Sequence, residues 1–170
     1  MHEREQTWVF DDWLSSHKAL FFKVVHAYAF TPSDRDDLFQ EVAMQVWRSI
    51  PKFRGESAVT TWIYRVALYA AIEWSRHEKH HQTGKQSIDG IEPTLVENMR
   101  PIDARLGWLY EQIAHLDEID RSLTLLMLDG FSYKEMAATL GITESNVGVK
   151  INRIKTCLAR TLKEENRNGL

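Results

Sequence analysis

The sequence predicts an all-α protein of two small helical domains, residues 1–81 and 102–170, joined by a flexible linker over residues 82–101. Apolar residues recur with helical spacing along nearly the whole chain, and no alternating polar and apolar run predicts a strand. The 82–101 stretch has no helical stripe and contains two glycines and two prolines. Two short amphipathic segments flank a glycine within residues 133–158, a pattern typical of a helix-turn-helix.

The N-terminal domain is predicted to hold three helices. The first runs from Trp8 to Ala29 and ends at the breaker Thr31-Pro32-Ser33-Asp34, which also supplies caps for the second, over residues 33–50. Pro51 ends that helix, residues 53–57 form a loop, and the third helix covers residues 58–81. The residues predicted to face inward on the first helix are Trp8, Trp13, Leu14, Leu20, Phe21, Val24, Val25 and Tyr28.

The C-terminal domain is predicted to begin with a helix over residues 102–115. Asp117 caps the next helix, which runs through Leu128 and ends at Gly130. In the helix-turn-helix, Gly141 ends the first helix in a left-handed conformation and Thr143 caps the second. The inward residues are Tyr133, Met136, Ala137 and Leu140 in the first helix, and Val147, Ile151, Ile154 and Leu158 in the second. The outward face, with Ser145, Val149, Asn152, Arg153 and Thr156, can reach base edges and phosphates in a major groove.

Charge is distributed in alternating blocks. Residues 1–45 carry eight acids against four bases, and residues 103–130 carry six against two. Residues 48–85 carry seven bases against three acids, and residues 131–163 carry six against two. Two basic blocks suit two separate DNA contacts, whereas chance clustering on solvated helices is the other interpretation. The single cysteine excludes an intramolecular disulfide, and the lack of a signal peptide or membrane span predicts a cytoplasmic protein with no membrane insertion.

Four stretches of the sequence resemble a known family. D-D-L-F-Q-E-V-A-M-Q-V-W (36–47) and F-R-G-E-S-A-V-T-T-W-I-Y-R-V-A-L-Y-A-A-I-E-W-S-R (53–76) resemble region 2 of a bacterial sigma factor. L-D-E-I-D-R-S (116–122) and G-F-S-Y-K-E-M-A-A-T-L-G-I-T-E-S-N-V (130–147) resemble region 4, so the chain is similar to the extracytoplasmic-function class. The resemblance implies a transcription initiation factor, not an enzyme, with no cofactor. Its implied partners are core RNA polymerase, duplex DNA at the -35 element, single-stranded DNA at the -10 element, and an anti-sigma factor.

Residue roles follow from the same resemblance. The positions matching the polymerase-docking helix are Asp37, Leu38, Gln40, Glu41 and Trp47. Those matching the -10 surface are Phe53, Arg54, Trp62, Arg65, Tyr69 and Arg76, and those matching the -35 reading helix are Asn146, Gly148, Val149, Lys150, Asn152 and Arg153. Tyr69 stands where the family commonly has Asn, Gly148 where a basic residue is usual, and Val149 where a small polar one is usual.

Other interpretations stay open at this point. Trp47, Phe53 and Trp62 could be core residues that touch no partner. The chain could be a stand-alone helix-turn-helix regulator that binds duplex DNA without polymerase. His77, His80 and His81 could hold a metal in a helical enzyme. No Cys or acidic partner is identified on a second element, so a solvated helix end is the favoured interpretation and we expect no metal.

Overall fold

The computed structural model describes residues 2–81 and 104–167, with the backbone alone described at residues 79–81 and 104. Eight α-helices and no strand occur within those ranges, which confirms the predicted all-α class. The chain divides into two compact units, Met1–Asp103 and Ala104–Leu170. The linker predicted over residues 82–101 lies outside the described residues.

The N-terminal unit contains α1 (Glu3–Ser16), α2 (Lys18–Tyr28), α3 (Pro32–Ser49) and α4 (Val59–His81). The prediction of one helix from Trp8 to Ala29 is wrong, because the helix breaks at His17, whose φ and ψ are −119° and 22°. The inward placement of Trp8 is also wrong, since its side chain is 70% exposed while Trp13 is buried. Five residues turn a helix through about 140° beyond one full circle, so these two tryptophans cannot share a stripe.

Helix α3 begins and ends where its local chemistry dictates. Thr31 accepts a hydrogen bond from the Asp34 amide at 3.1 Å, and Pro32 occupies the first helical turn. Pro51 then converts the chain into a 3-10 turn, Ile50–Lys52. Fully buried side chains from α2, α3 and α4 form the core, among them Phe21, Val24, Leu38, Val42, Val46, Ile63, Tyr64 and Leu68. Each aliphatic or Phe member stabilises the unit by about 1.5–3 kcal/mol.

The second unit contains α5 (Ala104–Ala114), α6 (Glu118–Leu128), α7 (Tyr133–Leu140) and α8 (Glu144–Arg167). Asp117 caps α6 as predicted, accepting from the Asp120 amide at 2.8 Å. Met136, Ala137, Leu140, Val147, Ile151 and Ile154 are buried as predicted, and Leu158 is half-buried. The inward placement of Tyr133 is wrong: it is the first residue of α7 and is exposed, because no earlier turn covers it.

Candidate nucleic-acid interface

Both helices of the helix-turn-helix are fixed by local hydrogen bonds. The Ser132 amide donates to Glu135 Oε2 at 2.7 Å, and the Glu135 amide donates to Ser132 Oγ at 3.2 Å. Those bonds, the backbone one foremost, lower the pKa of the Glu135 carboxyl. Gly141 has φ of 68° and its amide donates to the Ala137 carbonyl, as a left-handed helix end requires. Thr143 accepts from the Asn146 amide at 3.1 Å, which confirms the predicted cap of α8.

One face of α8 projects into solvent. The Val149 side chain is 68% exposed and that of Arg153 is 63% exposed, and Asn146 and Asn152 are also exposed. The opposite face, with Val147, Ile151 and Ile154, is buried against the rest of the unit. The helix therefore presents an apolar group, amides and a guanidinium together, a set able to contact base edges.

Gly148, the remaining position of the predicted reading set, is half-buried. A Cβ at this position would lie 3.6 Å from Tyr133 Cε2, which is ordinary van der Waals contact. The packing of the unit therefore does not require glycine there.

A carboxylate that the sequence reasoning missed holds two of the predicted DNA-binding residues. Lys150 Nζ lies 2.8 Å from Asp120 Oδ1, and Arg153 Nη2 lies 2.5 Å from Asp120 Oδ2. The Asp120 side chain is 6% exposed and that of Lys150 is 20% exposed. The hydrogen bond to Asp120, reinforced by its charge, raises the pKa of the Arg153 guanidinium. The available signal for this contact was an acidic residue among the buried residues of α6. Its two partners lie 30 and 33 residues away along the chain, so the sequence alone did not connect them.

In the N-terminal unit, α3 and α4 form a groove of about 390 Å³. Its lining brings together three residues of the predicted -10 set, Trp62, Arg65 and Tyr69. Tyr69 is 47% exposed, so much of its ring is accessible. The groove adds Gln45, Val66, Ala70 and Glu73, which motif matching did not identify because it takes no account of how two helices pack.

The aromatic residues near this groove are partly committed to packing. Trp62 Nε1 donates to Ser49 Oγ at 3.0 Å, and its ring centroid lies 5.6 Å from that of Phe53. Phe53 also meets Trp13 edge-to-face at 5.3 Å. Both rings are half-buried, so they support the surface and also contribute to it. Arg54 and Arg76, the other members of the predicted set, are exposed.

The predicted docking residues lie along α3. Asp37 and Gln40 are exposed, whereas Leu38 is fully buried and can contribute only by packing the helix. Glu41 is half-buried and accepts a hydrogen bond from Gln45 Nε2 at 2.7 Å. Trp47 is half-buried, and its carbonyl accepts from Gln6 Nε2 at 2.7 Å, which joins α1 to the end of α3.

The described part of the chain contains no group of three His, Cys, Asp or Glu side chains placed to hold a metal. His77 is exposed near the end of α4, and the side chains of His80 and His81 lie outside the description. Within the described ranges, no helix is long and apolar enough to cross a membrane.

Family models match both units. The model of sigma-70 region 2 matches residues 13–81, and that of sigma-70 region 4 matches residues 106–158. The ECF RNA polymerase sigma factor SigM of Mycobacterium tuberculosis is 23% identical over 168 residues, covering 95% of this chain and 81% of that protein. The ECF RNA polymerase sigma-E factor of Escherichia coli is 28% identical over 143 residues, covering 76% and 74%.

Two solved structures share the fold. CnrH, in complex with the cytosolic domain of CnrY, matches with a TM-score of 0.66 at 18% identity, over 93% of this chain and 90% of that one. The sigma factor RpoE of Bartonella quintana, in complex with the anti-sigma factor NepR, matches with a TM-score of 0.63 at 18% identity, over 89% and 97%.

Proposed function

Because the chain belongs to the sigma-70 family, in its extracytoplasmic-function class, we propose that it directs core RNA polymerase to promoters through two DNA-contacting surfaces. Residues 1–81 act as region 2 and residues 102–170 as region 4, with residues 82–101 as the linker between them. The family is one of transcription factors, and we propose that this member has no active site of its own and works in the cytoplasm.

The exposed face of α8 reads the -35 element. The exposure of that face is the observation that carries the proposal. In this proposal Val149 touches a thymine methyl group, Asn152 pairs with adenine and Arg153 pairs with guanine, and the exposure of all three supports it. Lys150 contacts phosphate: its ammonium group has three donors, and the bond to Asp120 uses one. Asn146 and Gly148 lie at the start of the same helix, within the family match.

The -10 element is bound as a single strand across the groove of α4. Extracting a base from its stack costs a few kcal/mol, which a pocket with stacking faces and polar edges can offset. The half-exposed ring of Tyr69 supplies such a face, and Arg65 supplies charge beside it. Arg54 and Arg76 position the strand through its phosphates, while Phe53 and Trp62 form the wall of the surface.

Polymerase docks on the exposed side of α3. Asp37 and Gln40 make the contacts, Glu41 and Trp47 border them, and Leu38 holds the helix in place from the core. We further propose that an anti-sigma factor regulates the protein, since the RpoE structure sharing this fold is a complex with one.

The test is run-off transcription with bacterial core RNA polymerase on a pool of genomic promoter fragments, with and without the protein. We expect protein-dependent transcripts whose start sites share two upstream motifs. Binding of the protein to duplex DNA alone, together with no binding to core polymerase, would instead establish a stand-alone regulator.

Arg153→Ala and Arg160→Ala form a matched pair of variants in that assay. Both arginines are exposed on α8 and lie seven residues apart, so they share a face two turns from each other. We expect Arg153→Ala to remove the preference at one -35 position, Lys150→Ala to weaken all promoters evenly, and Arg160→Ala to leave the preference intact. Equal losses on every -35 sequence for Arg153→Ala would demote Arg153 to a phosphate contact.

A further inference from the structure

Asp120 is a buried acid whose two oxygens both point to α8. A carboxylate removed from water is costly unless charged or hydrogen-bonding groups compensate it. Here Oδ1 receives the Lys150 ammonium and Oδ2 receives the Arg153 guanidinium, while the amide of Asp120 is held by Asp117. Helix α6 thus holds the backbone of Asp120 in place, and the predicted reading helix compensates the charge of its carboxylate.

The two bonds contribute to fixing the rotation of α8 about its own axis. Lys150 and Arg153 are three residues apart and therefore lie on one flank of the helix. The buried contacts of Val147, Ile151 and Ile154 hold α8 against the unit, but apolar contacts have little directional preference. Hydrogen bonds are directional, so two charge-assisted bonds to one fixed carboxylate narrow the range of rotations that α8 can adopt.

Arg153 keeps an exposed edge. Its Nη2 atom is bonded to Asp120, but the side chain as a whole is 63% exposed. A guanidinium group is planar with five donors in a rigid fork, so holding one edge orients the remaining donors in a defined plane. A fork held in this way matches the two acceptors of a guanine edge and has fewer orientations to lose on binding.

We propose that Asp120 is a positioning residue for promoter reading, whose buried carboxylate orients Arg153 so that it discriminates one base pair of the -35 element; this rests on the proposed function. Asp120 also offsets one of the two positive charges of Lys150 and Arg153, which reduces sequence-independent attraction to phosphates. Its contribution is therefore to selectivity, and its loss leaves overall affinity for DNA intact or higher.

The experiment uses holoenzyme assembled from core bacterial RNA polymerase and the full chain. A promoter library with a randomised -35 element is transcribed, and the transcripts are counted by sequencing. Arg153→Ala first identifies the base position that Arg153 reads, where the wild type is expected to prefer one base by about tenfold or more. Asp120→Asn is expected to reduce the preference at that same position to about twofold or less, while the other positions keep theirs. Transcription from scrambled -35 templates then stays equal or rises.

Glu111→Gln is the matched control, because it removes the same charge from an exposed residue of α5. It is expected to keep every preference. Wild-type preferences in Asp120→Asn at all positions would overturn the proposal, as would an even loss at all positions with a lowered melting temperature, which marks a purely structural role.

If Asp120→Asn fails to fold, the double variant Asp120→Leu/Lys150→Met replaces the buried pair by apolar groups, a change that proteins often tolerate. It leaves Arg153 without its carboxylate, so the same position is expected to lose its preference, and retention of the preference refutes the proposal. A wild-type holoenzyme without preference at any -35 position would instead refute the proposed function itself, which separates the two failures.

Discussion

Replacing Gly148 with alanine is expected to stabilise the second unit. Gly148 lies inside α8, where glycine is about 1 kcal/mol less favourable than alanine. The new methyl group would meet the Tyr133 ring at 3.6 Å and 3.9 Å, so contact replaces open space without a clash. In a unit of this size, 1 kcal/mol raises the melting temperature by about 4–8 °C.

Differential scanning calorimetry of the full chain measures the change, and Gly141→Ala identifies the transition that belongs to the second unit. Gly141 has φ of 68°, where an L side chain costs about 1–2 kcal/mol, so this variant is expected to melt earlier. The same substitution of glycine by alanine is thus expected to raise the melting temperature at Gly148 and to lower it at Gly141. A melting temperature for Gly148→Ala equal to or below that of the wild type would refute the reasoning. Transcription is expected to persist, because the methyl group faces Tyr133.

Three further predictions concern the N-terminal unit. Tyr69→Ala is expected to reduce promoter melting, measured by permanganate reactivity of unpaired thymines, with stability within about 0.5 kcal/mol because the residue is half-exposed; unchanged melting removes Tyr69 from the strand-binding surface. Trp62→Phe loses the hydrogen bond to Ser49 and is expected to lower the free energy of unfolding in urea by about 1 kcal/mol, and an unchanged value would show that this bond contributes nothing. Burial, together with the charge of Arg35, lowers the pKa of His26 below 6.5. The unfolded chain therefore binds a proton at His26 more tightly than the folded protein does. The stability that the neutral imidazole contributes is fully present above about pH 6.5 and is lost as pH falls through the lowered pKa. His26→Gln is expected to make the free energy of unfolding depend less steeply on pH below about 6.5. The same pH dependence in both proteins would contradict this prediction.

The parts of the fold that the sequence predicted correctly depend on neighbouring residues. Thr31 and Pro32 start α3, Asp117 caps α6, and Gly141 with Thr143 forms the turn of the helix-turn-helix. Each of these signals acts within four residues of its own position, so a linear reading captures it.

The features that the sequence did not predict depend on packing between distant segments. The break at His17 lies within an apolar pattern that one helix could also explain, and only the tertiary core decides which face of α1 is buried. Asp120 meets α8 across 30 or more residues, and the groove of Tyr69 exists because α3 carries Gln45 beside α4. The family resemblance identified positions one at a time and could not assign these neighbours to them.

The loop after α3 begins with one residue that is packed against the core and continues with residues that are exposed. Phe53 is held between Trp13 and Trp62, with ring centroids 5.3 Å and 5.6 Å away, whereas residues 54–57 are exposed. Substitutions at Arg54, Glu56 and Ser57 leave the core unaltered and act only on what the loop meets outside, whereas Gly55 has φ of 72°, a conformation that favours glycine. New DNA preferences are therefore accessible by mutation one step at a time, without an intermediate that fails to fold.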